Sequence, residues 1–448
     1  MPLRIRPAST CALLVLALAA CDPGGGTEPE DGPDIAWLRE NAVALRTTDP
    51  GGSTADLAPL RPMVQGAHVV ALGEATHGTR EFFRMKHRLL EYLVKELGYS
   101  TFAIEAPWAE AERLNRYVLT GEGDPEVLLS HLQYWPWNTA EVLEMIRWMR
   151  QHNQAPGAAP TVSFHGFDVQ HARVAMNDVV AYLRGINPAA ADSAVAHYAC
   201  YRPWQDSIGV FTDYGAANAQ VKESCRQGVE AAYAQVQAGA APYTAATGAA
   251  AYGLALRAAR IAVQNEHVRR DPTQRTLRRE QYMAETVEWI AGPAGSGRRT
   301  VLWGHSGHVS RRQPWMGSHL GQAYGEAYRV AGFSFYEGPF SVVLEGGPLA
   351  SATAPPPPDD SYEHQLHRLG MPRFMVDLRP VRAGQAPGAG WLAGPLKMRI
   401  IGSVYNPLAP QNYFFPVALT TEYDVLIHVE ESTPTRLLPF RFQQSELN

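Results

Sequence analysis

"HVVALGEATHGTREFFRMK" (residues 68–86) decides the fold. A short β-branched run closes on Gly73 and then releases Glu74, His77 and Arg80 just ahead of a helical pattern. Phe82, the stem of Lys86, Leu89, Leu90, Leu93 and Leu97 fall three or four apart, which predicts an amphipathic helix over 79–97. Gly98 stands where such a helix stops in a left-handed cap. "STFAIEAP" (100–107) reads as the next strand, ended by Pro107. Strand, helix and strand in that order form a parallel unit with a right-handed crossover. The carboxyl ends of both strands then face the same way, so Glu74, His77 and Glu105 leave from one rim.

Further strands extend the pattern. "TVSFHGFD" (161–168) ends in His165 and Asp168, and "TVLWGHSGH" (300–308) ends in His305 and His308. Between them, about 172–295, lies an Ala-rich stretch of good helix formers, read as a helical insertion. After 320, shorter strands are expected at "AYRVAGFSFYEG", "RFMVDLR", "LKMRIIGS" and "DVLIHVE". The predicted class is α/β, a mostly parallel or mixed central sheet flanked by helices with that insertion. A single His or Glu after a strand is ordinarily a cap. Four strand ends that each deliver a carboxylate or imidazole predict a cleft at the sheet's carboxyl edge, where α/β folds bind ligands. Tyr134, Trp135 and Trp137 supply either an apolar wall for that cleft or core packing.

Bulk composition fits a globular chain: 46% hydrophobic and 19% charged in 448 residues. The 39 Lys+Arg against 44 Asp+Glu give a net charge of -5, with no basic stripe, which argues against nucleic acid as a partner. At the N-terminus, Arg4 and Arg6 precede a short apolar run ending Leu18-Ala19-Ala20-Cys21, which resembles a bacterial lipobox. That reading makes 1–20 a lipoprotein signal peptide, Cys21 the lipidated residue and 21–34 a Gly/Pro/acid tether. Residues 35–448 are then an exported, membrane-anchored domain. The alternative is an ordinary secretory signal with a chance cysteine. Cys200 and Cys225 remain, either paired or separately buried.

At these residues the chain resembles the erythromycin esterase family. The motifs are "GEATHG" (73–78), "FAIEAP" (102–107), "YWPWNTAEVLEMIRWMR" (134–150), "HGFDVQ" (165–170), "RREQYMAETVEW" (278–289), "WGHSGHV" (303–309) and "DDSYEHQLHRLGMPRFMVDLR" (359–379). The resemblance implies hydrolysis of a small-molecule ester or macrolactone by an activated water, with no cofactor and no covalent serine intermediate. It implies His77 as base, Glu74 and Glu105 at the acidic positions, and His305 in the Trp-x-His motif. Arg80, Asp168, Arg279, Glu285 and His308 join the cleft as second-rank members, beside Trp135 and Trp137. The chain departs from the family's usual residues at Glu280, Thr286 and Ser306, which puts the substrate in doubt more than the reaction.

A neutral imidazole can deprotonate water near neutral pH, and a carboxylate against the ring fixes its tautomer. Sequence leaves open whether Glu74 or Glu105 does so. His305 and Arg80 are expected to face the oxyanion. Three other readings compete. Ser306 could be a nucleophile in a Gly-x-Ser-x-Gly-like turn with Asp377 and His428, although His308 stands where that turn wants glycine. Glu74, His77, Glu105, His165, His305 and His308 could hold zinc. A surface lipoprotein could bind a glycan or lactone without turning it over.

Overall fold

The computed structural model describes residues 34–157, 159–204 and 224–441. The signal-like segment, Cys21 and most of the tether lie outside them.

Twelve strands are described: β1 (Val43–Ala44), β2 (Val69–Leu72), β3 (Thr101–Pro107), β4 (Ser163–Asp168), β5 (Thr300–Trp303) and β6 (Tyr328–Leu344), then β7 (Leu349–Ala354), β8 (Arg373–Asp377), β9 (Pro395–Arg399), β10 (Val404–Tyr405), β11 (Phe414–Ala418) and β12 (Val425–Glu431). One sheet runs in the order β1-β8-β12-β6-β2-β5-β3-β4, with β7 and β10 attached to β6. From β12 to β4 every neighbouring pair is parallel; β8 runs against β12, and β1 against β8. β9 and β11 form a separate antiparallel pair.

Alternation along the strands sends side chains to two cores. Val69 and Ala71 face one with the helices Arg173–Ile186, Ala249–Arg270 and Arg275–Ala291; Val70 and Leu72 face the other with Arg80–Leu97 and Ala140–Gln154. All of β2 and β3 is buried, as strands covered on both faces must be. The Ala-rich stretch is therefore a helical layer over one face, tied by a Cys200–Cys225 disulfide. Gly98 caps its helix at φ 74° as expected.

The strands differ from the simplest sequence pattern in two places. β2 and β3 are not neighbours: β5, a far later segment, pairs with both and lies between them. β6 is not short but 17 residues long, and it overshoots the sheet so that its second half carries β7 and β10. That extension brings the turn Gly402-Ser403, just ahead of β10, to the carboxyl edge of the sheet.

Candidate active site

The strand-end loop after β2 is held tightly. Glu74 accepts the backbone N–H of Ser306 on its carbonyl (2.9 Å), and Thr76 Oγ1 meets both Thr79 Oγ1 (2.8 Å) and the N–H of Gly78 (3.1 Å). A Cβ on Gly78 would stand 1.8 Å from the carbonyl oxygen of Ser341, so only glycine lets these backbones approach. Across the site, the β3–β4 register shifts between Ile104 and Pro107. Such an irregularity re-aims a side chain, and here it sits at Glu105.

His77 Nδ1–H donates to Glu74 Oε1 (2.7 Å). The proton belongs on Nδ1 because an ionised carboxylate only accepts. Glu74 is fully buried, and its Oε2 takes Lys86 Nζ (2.6 Å) and Trp303 Nε1 (2.7 Å). Burial works to raise the Glu74 pKa, but the charge of Lys86 and the bonds from His77 and Lys86 outweigh it and hold the carboxyl below its ordinary value. Burial pulls Lys86 down to about 8, against the pull of Glu74. Lys86 Nζ also lies 4.6 Å from the centre of the Trp303 ring. Among the described residues, the other nitrogen of His77, Nε2, has no hydrogen-bond partner.

Glu105 anchors a second network. Its Oε2 accepts the backbone N–H of His305 (2.9 Å); its Oε1 faces Arg279 Nη2 (2.9 Å) and His308 Nε2 (3.1 Å). Arg279 also forks onto Asp168 through Nε (3.0 Å) and Nη2 (2.8 Å). His308 Nδ1 stands 2.7 Å from Glu280 Oε1, so the ring lies between two carboxylates. Burial disfavours its charge, yet Glu105 and Glu280 prevail and raise His308 to about 10. Glu105 responds in kind: burial opposes ionisation, but His308 and then Arg279 hold it well below the usual range. With His308 an imidazolium, the 3.3 Å approach of Arg279 Nη1 to its Nε2 is donor against donor and leaves that guanidinium arm without an acceptor there.

This pairing sets a pH dependence. A folded pKa near 10 lies above the ordinary value of 6.5, so His308 stabilises fully below pH 6.5 and its contribution disappears as pH rises through 10. The unfolding free energy of the wild type minus that of His308→Asn is expected to shrink between pH 6 and 10. A difference that stays flat in denaturant titrations across that range contradicts the charged ring.

These groups line one cavity of ≈ 450 Å³: His77, Glu105, Arg279, His305 and His308, walled by Gln133, Tyr134, Trp135, Trp137 and Gln170, with Gly402 and Ser403 closing it. Gln133 adopts a left-handed backbone (φ 59°), the one non-glycine among the described residues to do so. Trp137 is both wall and core: it is 1% exposed, donates to the carbonyl of Glu105 (2.6 Å) and stands edge-on to His77.

Several expected members do not join. Arg80 sits beside Glu141 (3.3 Å), at the start of its helix, and does not line the cavity. Glu285 pairs with Arg257 and Arg260 on the helical layer. His165 turns to Glu112 (2.7 Å), because it lies within β4 rather than at its end. His305 lines the cavity but has no spare N–H for an oxyanion: Nε2 meets the carbonyl of Ile401 (3.0 Å) and Nδ1 accepts from Gly307 (3.2 Å). Burial, then the neighbouring His77 and His308, depress it to about 3, so the ring is neutral. Among the described residues no group of three or more His, Cys, Asp or Glu is arranged to hold a metal ion. Lys86 and Trp303 were missed as site residues. The signal available was a lysine on the buried stripe of a helix that follows a strand-end glutamate.

A mostly parallel sheet with an oriented imidazole and a second carboxylate at its carboxyl edge defines an α/β protein with a candidate acid–base site. The description "Erythromycin esterase" matches residues 94–432, and the chain belongs to that family. Over 90% of its length it is 21% identical to "Putative hydrolase YbfO" of Bacillus subtilis (strain 168), covering 92% of that protein. It is 32% identical to the erythromycin esterase type II of Escherichia coli over 30% of this chain and 31% of that one. Its fold is similar to a succinoglycan biosynthesis protein (TM-score 0.78, 25% identity, 90% of this chain and 98% of that one). It is also similar to an erythromycin esterase mutant in its open conformation (TM-score 0.66, 15% identity, 89% and 99%).

Proposed function

We propose that the protein hydrolyses an ester or macrolactone with a water activated by His77. The observation that carries this reading is the His77 ring itself: Nδ1–H is fixed on Glu74, and Nε2 has no partner among the described residues while the ring lines the cavity. Nε2 takes a proton from water as the water oxygen bonds to the carbonyl carbon. The carbonyl oxygen becomes an oxyanion facing the arm of Arg279 released by charged His308. The imidazolium, stabilised by Glu74, then returns the proton to the alkoxide as the C–O bond breaks. The test is to incubate the protein with macrolides and simple aryl esters and seek addition of one water by mass spectrometry. No hydrolysis of any ester, by protein that is folded, overturns the proposal.

The serine reading finds less support. Ser306 is fully buried and does not line the cavity; Asp377 is engaged by Arg379 (2.7 Å), and His428 by Ser334 (2.9 Å) within the sheet. Ser306→Ala is therefore expected to keep activity within a few-fold of wild type. A fall of a thousandfold in kcat would restore the serine as nucleophile.

We also propose, from the lipobox-like Leu18–Cys21, that the chain is exported and anchored through lipid on Cys21. Metabolic labelling with a radioactive fatty acid should tag the wild type and not Cys21→Ser.

A further inference from the structure

The end of the sheet opposite the catalytic cavity carries a feature the reaction does not use. Two cavities, ≈ 340 and ≈ 270 Å³, meet there and share Gly66 and Arg299. Their walls come from residues that precede the parallel strands: Gly66 and His68 before β2, Tyr99 before β3, Arg299 before β5 and Ala327 before β6. Three arginines line the pair, Arg61, Arg298 and Arg299, and no Asp or Glu does.

These arginines are held but not neutralised. Arg61 donates to the carbonyl of Glu96 (3.1 Å), Arg298 to that of Ile290 (3.4 Å) and Arg299 to that of Leu97 (2.7 Å). Arg299 is further fixed over the Tyr99 ring at 5.8 Å. A neutral carbonyl orients a guanidinium without cancelling its charge, and none of the three forms an ion pair among the described residues. The nearby Glu326 is taken by Arg329 (2.7 Å). The "GPAGSGRR" loop (292–299) adds two more donors: the backbone N–H groups of Gly295 and Gly297 meet no acceptor among the described residues. Forked cations beside free backbone N–H groups are what tetrahedral oxyanions select.

We propose that this groove is an oxyanion site taking a phosphate-type group, either free or on an anionic lipid headgroup.

The test uses the full chain carrying Cys21→Ser, so that no lipid is attached, and compares it with Arg61→Gln/Arg298→Gln. A control of equal charge change, Arg147→Gln/Arg184→Gln, removes exposed arginines elsewhere. In one arm, inorganic phosphate is titrated by calorimetry. In the other, phosphatidylglycerol and phosphatidylcholine vesicles are compared by co-sedimentation. We expect saturable binding in at least one arm that weakens tenfold or more in the groove variant, holds in the control and falls with salt. Phosphate binding marks the free anion as a ligand. A preference for phosphatidylglycerol without it marks the headgroup. Equal binding by the groove variant and wild type in both arms, or none, overturns the site. Neither readout involves ester hydrolysis, so its failure leaves the catalytic proposal untouched.

Discussion

His77→Gln is expected to lower kcat by about 10²–10⁴-fold while the unfolding midpoint moves little. The ring is 9% exposed and its one hydrogen bond, to Glu74, can be kept by a glutamine amide, so the scaffold survives. What is lost is Nε2, the lone pair the proposal assigns to water. An amide nitrogen cannot accept a proton at any working pH, so the variant has no base at this position. Wild-type rates in the variant would remove His77 as base, whatever the fold does.

Lys86→Met is expected to cost about 3–5 kcal/mol of stability, the penalty of leaving one half of a buried ion pair behind. Both partners are wholly inaccessible, and Glu74 would keep only the indole N–H and the imidazole. Without the ammonium, burial would push the Glu74 carboxyl upward, weakening its hold on His77, so activity should fall along with stability. Glu74→Gln/Lys86→Met separates the two effects. Chemical denaturation should show that most of the lost stability returns, since no charge is stranded, while kcat stays low because the imidazolium has no counter-charge. A single Lys86→Met with unchanged midpoint would mean the pair carries no net stabilisation.

How much of this was legible follows from what periodicity records. The βαβ unit, the glycine cap at Gly98 and the helical layer were readable because each is local. Glu74, His77, Glu105 and Asp168 were readable as a rim because they sit at strand ends. The order of the strands was not. Nothing in residues 68–107 announces that β5 will be threaded between β2 and β3, and pairing partners are set by the whole sheet. Each error has its own local cause. Arg80 looked like a rim residue but begins a helix, which turns it toward Glu141. His165 looked terminal but β4 continues past it, and His305 looked free until Ile401 and Gly307 claimed both nitrogens. Lys86 was hidden because a lysine at an apolar position is usually explained by its stem alone.

The late insertion of β5 also governs how the molecule is made. While only the first two hundred residues exist, β2 and β3 each present an open edge, with no partner yet synthesised to pair with both. Until Trp303 arrives, Glu74 lacks one of its donors, and until His305 arrives the same is true of Glu105. A nascent or truncated chain that ends before His305 therefore lacks donors to both buried carboxylates of the site. The cost is a slow, long-range closure, during which such a chain is prone to associate with its own copies.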